Sequence, residues 1–239
     1  MFIYKVALCV VLGIIIYKRG ILDFRGSLVA LFIGITVACL AGFTWLSLLI
    51  IFLFIGYFST RYKYSKKAML NVSENNNGRR SATNVLANGL VPTFFVVFWY
   101  FNSNDATDAL WKASYIATVA TVTGDTLSSE LGVLSKSGPH LITTFEKVPV
   151  GAHGGISLLG ELTGIAGTLV IGGSAWAVGL VDIKVAMLAA VVGGSVGFHF
   201  DSYLGAAFER KGMIGNATVN FLSTIVGALT GLCAVLVWG

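Results

Sequence analysis

Charged residues are scarce in this chain. Of its 239 residues, 11% are Asp, Glu, Lys or Arg, whereas 56% are hydrophobic, and the mean hydropathy is +0.83. Soluble domains carry about a quarter charged residues, so this composition excludes a soluble globular protein. Cysteine is scarce as well. Cys9, Cys39 and Cys233 lie inside apolar blocks without paired spacing, which excludes a disulfide framework and a cysteine metal site.

Apolar blocks recur along the chain, and a membrane-spanning helix needs about 20 such residues. We therefore expect an all-α, polytopic transmembrane helical bundle of seven or eight helices, formed by residues 1–239 as a single integral membrane domain. Residues 2–17 lack the basic start and the small-residue cleavage site of a signal peptide, so they count as a span. The predicted spans are 2–17, 27–42, 45–60, 82–101, 110–134, 157–181, 183–200 and 217–238.

Lysine and arginine are distributed unevenly between the two ends of these spans. Thirteen of the 16 lie in or beside the connections 18–26, 61–81, 135–156 and 201–216. The positive-inside rule places these connections in the cytoplasm and both termini outside. The net charge of +5 then favours anionic membrane lipids as partners, above all at Lys63, Lys66 and Lys67. It does not indicate nucleic acid.

Two carboxylates, Asp125 and Glu130, interrupt the hydrophobic stretch 121–130. An ionised side chain inside a membrane helix costs at least about 2.5–3.5 kcal/mol, so both are expected to face a wet, protein-lined site. On an ideal helix they diverge by roughly 140°, and they share one ion only if the helix is deformed or the site wraps around it. A buried hydrogen-bond network between helices is the alternative. Carboxylate oxygens suit magnesium.

Arg79 and Arg80 precede Asn84 and Asn88, which share one face of the next helix. Because a guanidinium group binds phosphate through two parallel hydrogen bonds, this segment is a candidate phosphate site. The alternative is that the asparagines bridge neighbouring helices.

The loop 136–160 combines Lys147 with Gly151, His153, Gly154 and Gly155. The lysine charge, the backbone amides of a glycine-rich turn and the N-terminus of the following helix can together hold phosphates. For His153 the alternative is simple solvation.

Asp201 ends a predicted helix, and Asn216 and Asn220 begin the last one on a single polar stripe. Their alternatives are solvation and helix packing. Glycine is abundant, with 29 residues, and the four-residue spacings Gly160/Gly164 and Gly227/Gly231 predict close helix contacts.

All these groups fall at the end of the bundle assigned to the cytoplasm. Acidic groups, basic groups and a glycine loop together describe a magnesium-assisted polyphosphate site that opens to the cytoplasmic face. The predicted Mg²⁺ ligands are Asp125, Asp201 and Glu130.

At these positions the sequence resembles the family of transmembrane protein nineteen and the phytyl-phosphate kinases of plants and cyanobacteria. The matching blocks are Gly78-Arg79-Arg80 with 85–89, Asp125-Thr126 with 129–132, Gly151 with 154–157, Asp201-Ser202 with 204–206, and Asn216 with Val219-Asn220. The resemblance implies that an isoprenoid monophosphate is phosphorylated to its diphosphate. A more distant likeness to CTP-dependent phytol and dolichol kinases and to phosphatidate cytidylyltransferase implies CTP as the donor, although the residues alone select no base.

The sequence thus predicts an enzyme, a membrane kinase that uses a nucleoside triphosphate and a prenyl monophosphate lipid. The expected catalytic residues are Asp125, Asp201 and Lys147. The expected phosphate and nucleotide contacts are Arg79, Arg80, Asn88, Gly151, His153, Gly154, Gly155, Asn216 and Asn220. The alternatives are a cytidylyltransferase that acts on a lipid phosphate and a cation-coupled transporter.

Overall fold

The structure is a computed structural model that describes residues 2–73 and 78–239. Its helices are α1 (Phe2–Lys18), α2 (Phe24–Leu40), α3 (Phe43–Arg61), α4 (Tyr64–Met69), α5 (Ala82–Asn102), α6 (Asp108–Gly132), α7 (Leu158–Ala177), α8 (Ile183–Met187), α9 (Gly194–Ala207) and α10 (Asn216–Trp238). A π-helical turn, Leu188–Gly193, joins α8 and α9, and a 3₁₀ turn, Glu209–Lys211, follows α9. Between α6 and α7, β1 (His140–Leu141) pairs with β2 (Gly155–Ile156) in an antiparallel hairpin.

The all-α polytopic fold is confirmed. Within the described residues, five helical segments are long and apolar enough to cross a membrane, namely α3, α5, α7, Ile183–Lys211 and α10, and α2 is a shorter apolar helix. The outer surface carries large apolar side chains such as Phe32, Phe58, Leu162 and Leu229, as expected of a bundle that faces lipid. Which face of the membrane each end occupies stays a prediction.

Most predicted span ends lie within three residues of the observed helix ends, and two differ by four residues or more. The span predicted to end at 200 continues as α9 to Ala207, because Asp201 is buried by protein and does not mark the exit to water. The span predicted to end at 181 stops at Ala177, where Gly179 adopts a left-handed φ of 70°.

Helix α6 lies at the centre of the bundle and contacts α3, α5, α7, α9 and α10. Every residue from Ala113 to Gly124 is buried. The hydroxyl groups of Thr118, Thr121 and Thr123 donate to carbonyl oxygens of their own helix at 2.5, 2.9 and 2.7 Å. These bonds satisfy the hydroxyl groups without water. Helix α6 can therefore carry polar residues inside the bundle, where protein and not lipid surrounds it.

Glycines allow the neighbouring helices to approach α6 closely. A Cβ at Gly164 would lie 3.1 Å from the Phe198 ring, and one at Gly227 would overlap the Thr121 hydroxyl. A Cβ at Gly160 would crowd Ser128, and one at Gly231 would overlap the side chain of Ala117. The predicted packing role of both glycine pairs is therefore confirmed.

The connections that carry most of the lysine and arginine meet at one end of the bundle, here called the basic end. The backbone of Arg80 bonds to Ile21 and Asp23, and Gly154 packs on Ala206. Side-chain caps begin helices at this end: Asp23 accepts from Gly26 N of α2, and Ser157 accepts from Gly160 N of α7. The basic end is therefore a layer of interlocked connections.

Gly227→Ala tests the close packing around α6. The added methyl group would overlap Thr121 and lie 3.1 Å from the Gly193 carbonyl oxygen, so we expect the free energy of unfolding to fall by about 1–3 kcal/mol. Gly173→Ala is the control, since its Cβ would meet only the Met187 side chain, at 4.0 Å. Thermal unfolding in detergent measures both, and equal midpoints would contradict the packing.

Candidate functional site

A polar cavity of about 400 Å³ lies at the basic end, between α5, α6, α9, α10, the hairpin and residues 71–73. It brings together most of the predicted site residues: Arg80, Asn88, Asp125, Glu130, Gly151, His153, Gly154, Gly155, Asp201, Asn216 and Asn220. Two predicted residues do not line it. Arg79 and Lys147 are exposed, and their predicted contacts with substrate would require the cavity to close around a ligand.

Two carboxyl groups lie side by side in the wall of the cavity. The carboxyl groups of Asp125 of α6 and Asp201 of α9 are close neighbours, and Ser129 lies beside Asp125. Ser223 Oγ donates to Asp201 Oδ2 at 2.9 Å. In the amide orientation that satisfies its neighbours, Asn220 donates to the same oxygen at 3.1 Å. Two adjacent carboxylates repel each other unless a proton or a cation lies between them.

The donor set at this pair fits Mg²⁺. Carboxylate, hydroxyl and amide oxygens are hard ligands, and Mg²⁺ in phosphoryl-transfer sites takes one or two carboxylates together with water and substrate phosphates. Within residues 2–73 and 78–239, no group of three or more His, Cys, Asp or Glu side chains forms a metal cage by itself. A bound Mg²⁺ would therefore need oxygens from a phosphate or from water.

Arg80 is the one lysine or arginine among the described residues of the cavity wall. Its guanidinium lies 5.9 Å from the centre of the Phe52 ring, and Nη1 is 3.5 Å from Thr126 Oγ1. Arg79 points the other way, toward Gly20. The paired arginines therefore diverge, and Arg80 is placed to meet an anion in the cavity.

The glycine-rich loop closes one side of the cavity. Gly151 and Gly154 have left-handed φ angles of 85° and 75°, and a side chain at Gly154 would overlap Ala206 of α9. Three helices, α5, α7 and α10, also begin at this cavity, which is lined by Asn84, Ser157 and Asn216. Helix N-termini carry partial positive charge, so they favour an anionic ligand here.

Glu130 has a different setting from Asp125. Its Oε1 accepts from Thr60 at 2.6 Å, and its Oε2 contacts Lys67 Nζ at 2.5 Å. Lys67 is fully buried and also donates to the Ser59 carbonyl at 2.9 Å. Both oxygens of Glu130 thus bind protein groups, and its role as a metal ligand stays a prediction. The expectation that Lys67 faces lipid headgroups is wrong, because its side chain is buried in the protein, where it pairs with Glu130.

Glu209 belongs to the site although it was not among the predicted site residues. Its side chain is 9% exposed, lines the cavity and lies 3.2 Å from His153 Nδ1. In the sequence it precedes Arg210 and Lys211 and resembles a solvated charge run. The sequence signal that could have identified Glu209 is its four-residue spacing from Gly205 and Asp201, which places all three on one helix face.

Comparison with known protein families matches residues 7–228 to one described as "Integral membrane protein DUF92". The chain belongs to the DUF92 family. The matched region contains every helix described above, at least in part, and the whole cavity wall.

Three relatives of this DUF92 protein illustrate the range of similarity. An uncharacterized membrane protein of Methanocaldococcus jannaschii is 38% identical over 232 residues, which cover 97% of this chain and 93% of the relative. Protein PGR of Arabidopsis thaliana is 31% identical over 216 residues, 82% of this chain and 75% of the relative. The chloroplastic Protein VTE6 of the same plant is 27% identical over 213 residues, 83% of this chain and 63% of the relative. No solved structure matches the chain.

Lys67→Met tests the buried ion pair. The substitution leaves the Glu130 carboxylate without its cation, and we expect the free energy of unfolding to fall by about 3–5 kcal/mol. Combining it with Glu130→Gln removes the unpaired charge and should recover most of that loss. Unfolding of the three proteins in detergent is the measurement.

The control is Lys112→Met, which breaks the 2.7 Å pair with Asp108 at a more exposed position, where the two side chains are 20% and 38% exposed. Exposed pairs contribute about 0.2–1 kcal/mol. If Lys67→Met is no more damaging than Lys112→Met, the buried pair does not exist as described.

Proposed function

We propose that this DUF92 protein is a Mg²⁺-dependent membrane kinase that transfers a phosphoryl group from a nucleoside triphosphate, CTP in preference, to a prenyl, phytyl-like monophosphate. The observation that carries the proposal is the Asp125–Asp201 pair, which shares a half-enclosed polar cavity with Arg80. Acidic groups beside a single arginine suit a metal-bound polyphosphate better than a free anion or a free cation. The resemblance to phytyl-phosphate kinases supports the choice of acceptor.

The proposed reaction needs positioning more than acid–base chemistry. An oxygen of the acceptor phosphate attacks the terminal phosphorus of the nucleotide, a new P–O bond forms, and the bond to the leaving nucleoside diphosphate breaks. The attacking oxygen is already anionic, so no strong general base is required. Bound Mg²⁺ would neutralise charge on the phosphates.

Different residues of this chain would bind the metal and the phosphates. Asp125 and Asp201 would hold the metal, directly or through water, while Ser223 and Asn220 fix the orientation of Asp201. Arg80 would bind a phosphate of the acceptor or donor. The amides of the loop 151–155 and the N-termini of α7 and α10 would surround the nucleotide phosphates.

Product analysis tests the activity directly. Purified protein is incubated with Mg²⁺, each nucleoside triphosphate in turn and a panel of prenyl monophosphates, and the products are identified by mass. We expect a prenyl diphosphate and a nucleoside diphosphate, with CTP the best donor. Pyrophosphate and a cytidylylated lipid would instead identify the protein as a cytidylyltransferase, and the absence of any product would contradict the proposal.

Asp125→Asn tests the metal site. The substitution keeps the shape of the side chain but removes the charge, so turnover should fall by about 10²–10³-fold while the unfolding midpoint stays close to that of the parent. The control is Asp182→Asn at the other end of the bundle, where Asp182 accepts from Lys184 N and Val185 N at 2.9 and 3.1 Å. Asparagine caps helices as well as aspartate, so this variant should keep full activity. Near-normal turnover of Asp125→Asn would refute the metal role.

A further inference from the structure

A second space in the bundle lies beside the polar cavity and is almost entirely apolar. This apolar crevice is enclosed by α1, α2, α3 and α5, and its walls include Leu12, Leu31, Leu49, Ile50 and Leu53. It is distinct from the outer, lipid-facing surface, because it reaches buried residues such as Cys9, Ile33 and Leu46. An interior space of this composition suits a hydrocarbon ligand and not a nucleotide.

The crevice and the polar cavity share one border. Arg80, Asn84 and Asn88 line both spaces. The Arg80 guanidinium lies near Phe52 of the crevice on one side and Thr126 of the cavity on the other. A ligand held at this border would have its anionic group in the polar cavity and its apolar part among α1, α2, α3 and α5.

The crevice extends along most of α3. Its wall on α3 runs from Leu46 to Thr60, which corresponds to about 21 Å at the helical rise of 1.5 Å per residue. That length is roughly two thirds of the hydrocarbon thickness of a bilayer. A single extended chain can lie along such a wall.

Part of the open space is not required by helix packing. Gly34 of α2 lies in the wall of the crevice, and a Cβ there would be 3.8 Å from Leu46 and 4.0 Å from Cys9. These are ordinary van der Waals distances. At Gly89, by contrast, a Cβ would lie 2.6 Å from Ile33, so that glycine is required for two helices to touch. Gly34 keeps the crevice open where a larger residue would fill it.

We propose that the apolar crevice binds the chain of a single-chain isoprenoid monophosphate, with the phosphate at Arg80 and Asn84 and the chain running past Gly34 toward the deep end. The assignment rests on the proposed kinase function and adds to it the location and shape of the acceptor site. The nucleotide then occupies the other side of the polar cavity, beside the loop 151–155. The deep end of the crevice sets the longest chain that the protein accepts.

Gly34→Leu tests this assignment through chain-length preference. Its side chain projects into the crevice, so kcat/KM for phytyl phosphate should fall by about tenfold or more, the effect of one or a few displaced methylenes. Activity on dimethylallyl phosphate, whose five-carbon group ends before Gly34, should be unchanged. Gly173→Leu is the matched control, because a Cβ there meets only Met187 at 4.0 Å, and it should leave both substrates unaffected.

The same experiment separates this inference from the proposed function. If the parent protein phosphorylates prenyl monophosphates and Gly34→Leu lowers activity on long and short chains equally, the kinase function stands and the chain site is refuted. If the parent protein has no kinase activity, a photoreactive group at the chain end of farnesyl phosphate still tests the site by labelling. Labelling of peptides that contain Cys9, Gly34 or Leu46 supports the chain site, and labelling confined to the outer surface overturns it.

Discussion

The whole architecture depends on one constraint, which is that the polar stretch 113–124 of helix α6 has to be shielded from lipid. Its threonines bond to their own helix, and its neighbours reach it through glycines at 164, 193, 197, 227 and 231. Along residues 113–124, close packing leaves no room for lipid. It also carries Asp125 to the point where α9 and α10 present Asp201 and Ser223. The packing core and the candidate site are therefore consecutive parts of one helix.

The two halves of the bundle form different kinds of space. Helices α6, α7, α9 and α10 form the tightly packed half that holds the carboxylates, whereas α1, α2, α3 and α5 enclose the apolar crevice. Arg80 lies at the seam between the two halves. In the proposed function, such a division would give the phosphorylated lipid and the nucleotide donor separate surroundings that meet at Arg80. It would also keep the hydrocarbon chain out of the polar cavity.

Hydrophobic blocks were sufficient to predict an all-α polytopic bundle, because length and composition decide which segments can cross a bilayer. Of the eight predicted spans, five correspond to described helical segments that are long and apolar enough to do so. Asp125 and Asp201 were recognisable because a carboxylate in an apolar helix is costly. Contacts between distant segments were not recognisable. Lys67 pairs with a residue 63 positions away, Glu209 is hidden in a charge run, and Arg79 and Arg80 point in opposite directions. Local patterns carry no information on such partners, which only the packing of helices brings together.

The π-helical turn Leu188–Gly193 determines the phase of the helix that follows it. A π turn accommodates one more residue per turn than an α turn. In uninterrupted α geometry, every residue after Gly193 would be rotated by about 100° around the helix axis. Asp201 would then lose its position opposite Asp125, and Gly197 would no longer face Thr121. A local irregularity that ends eight residues before Asp201 thus determines which way the site residues of α9 point.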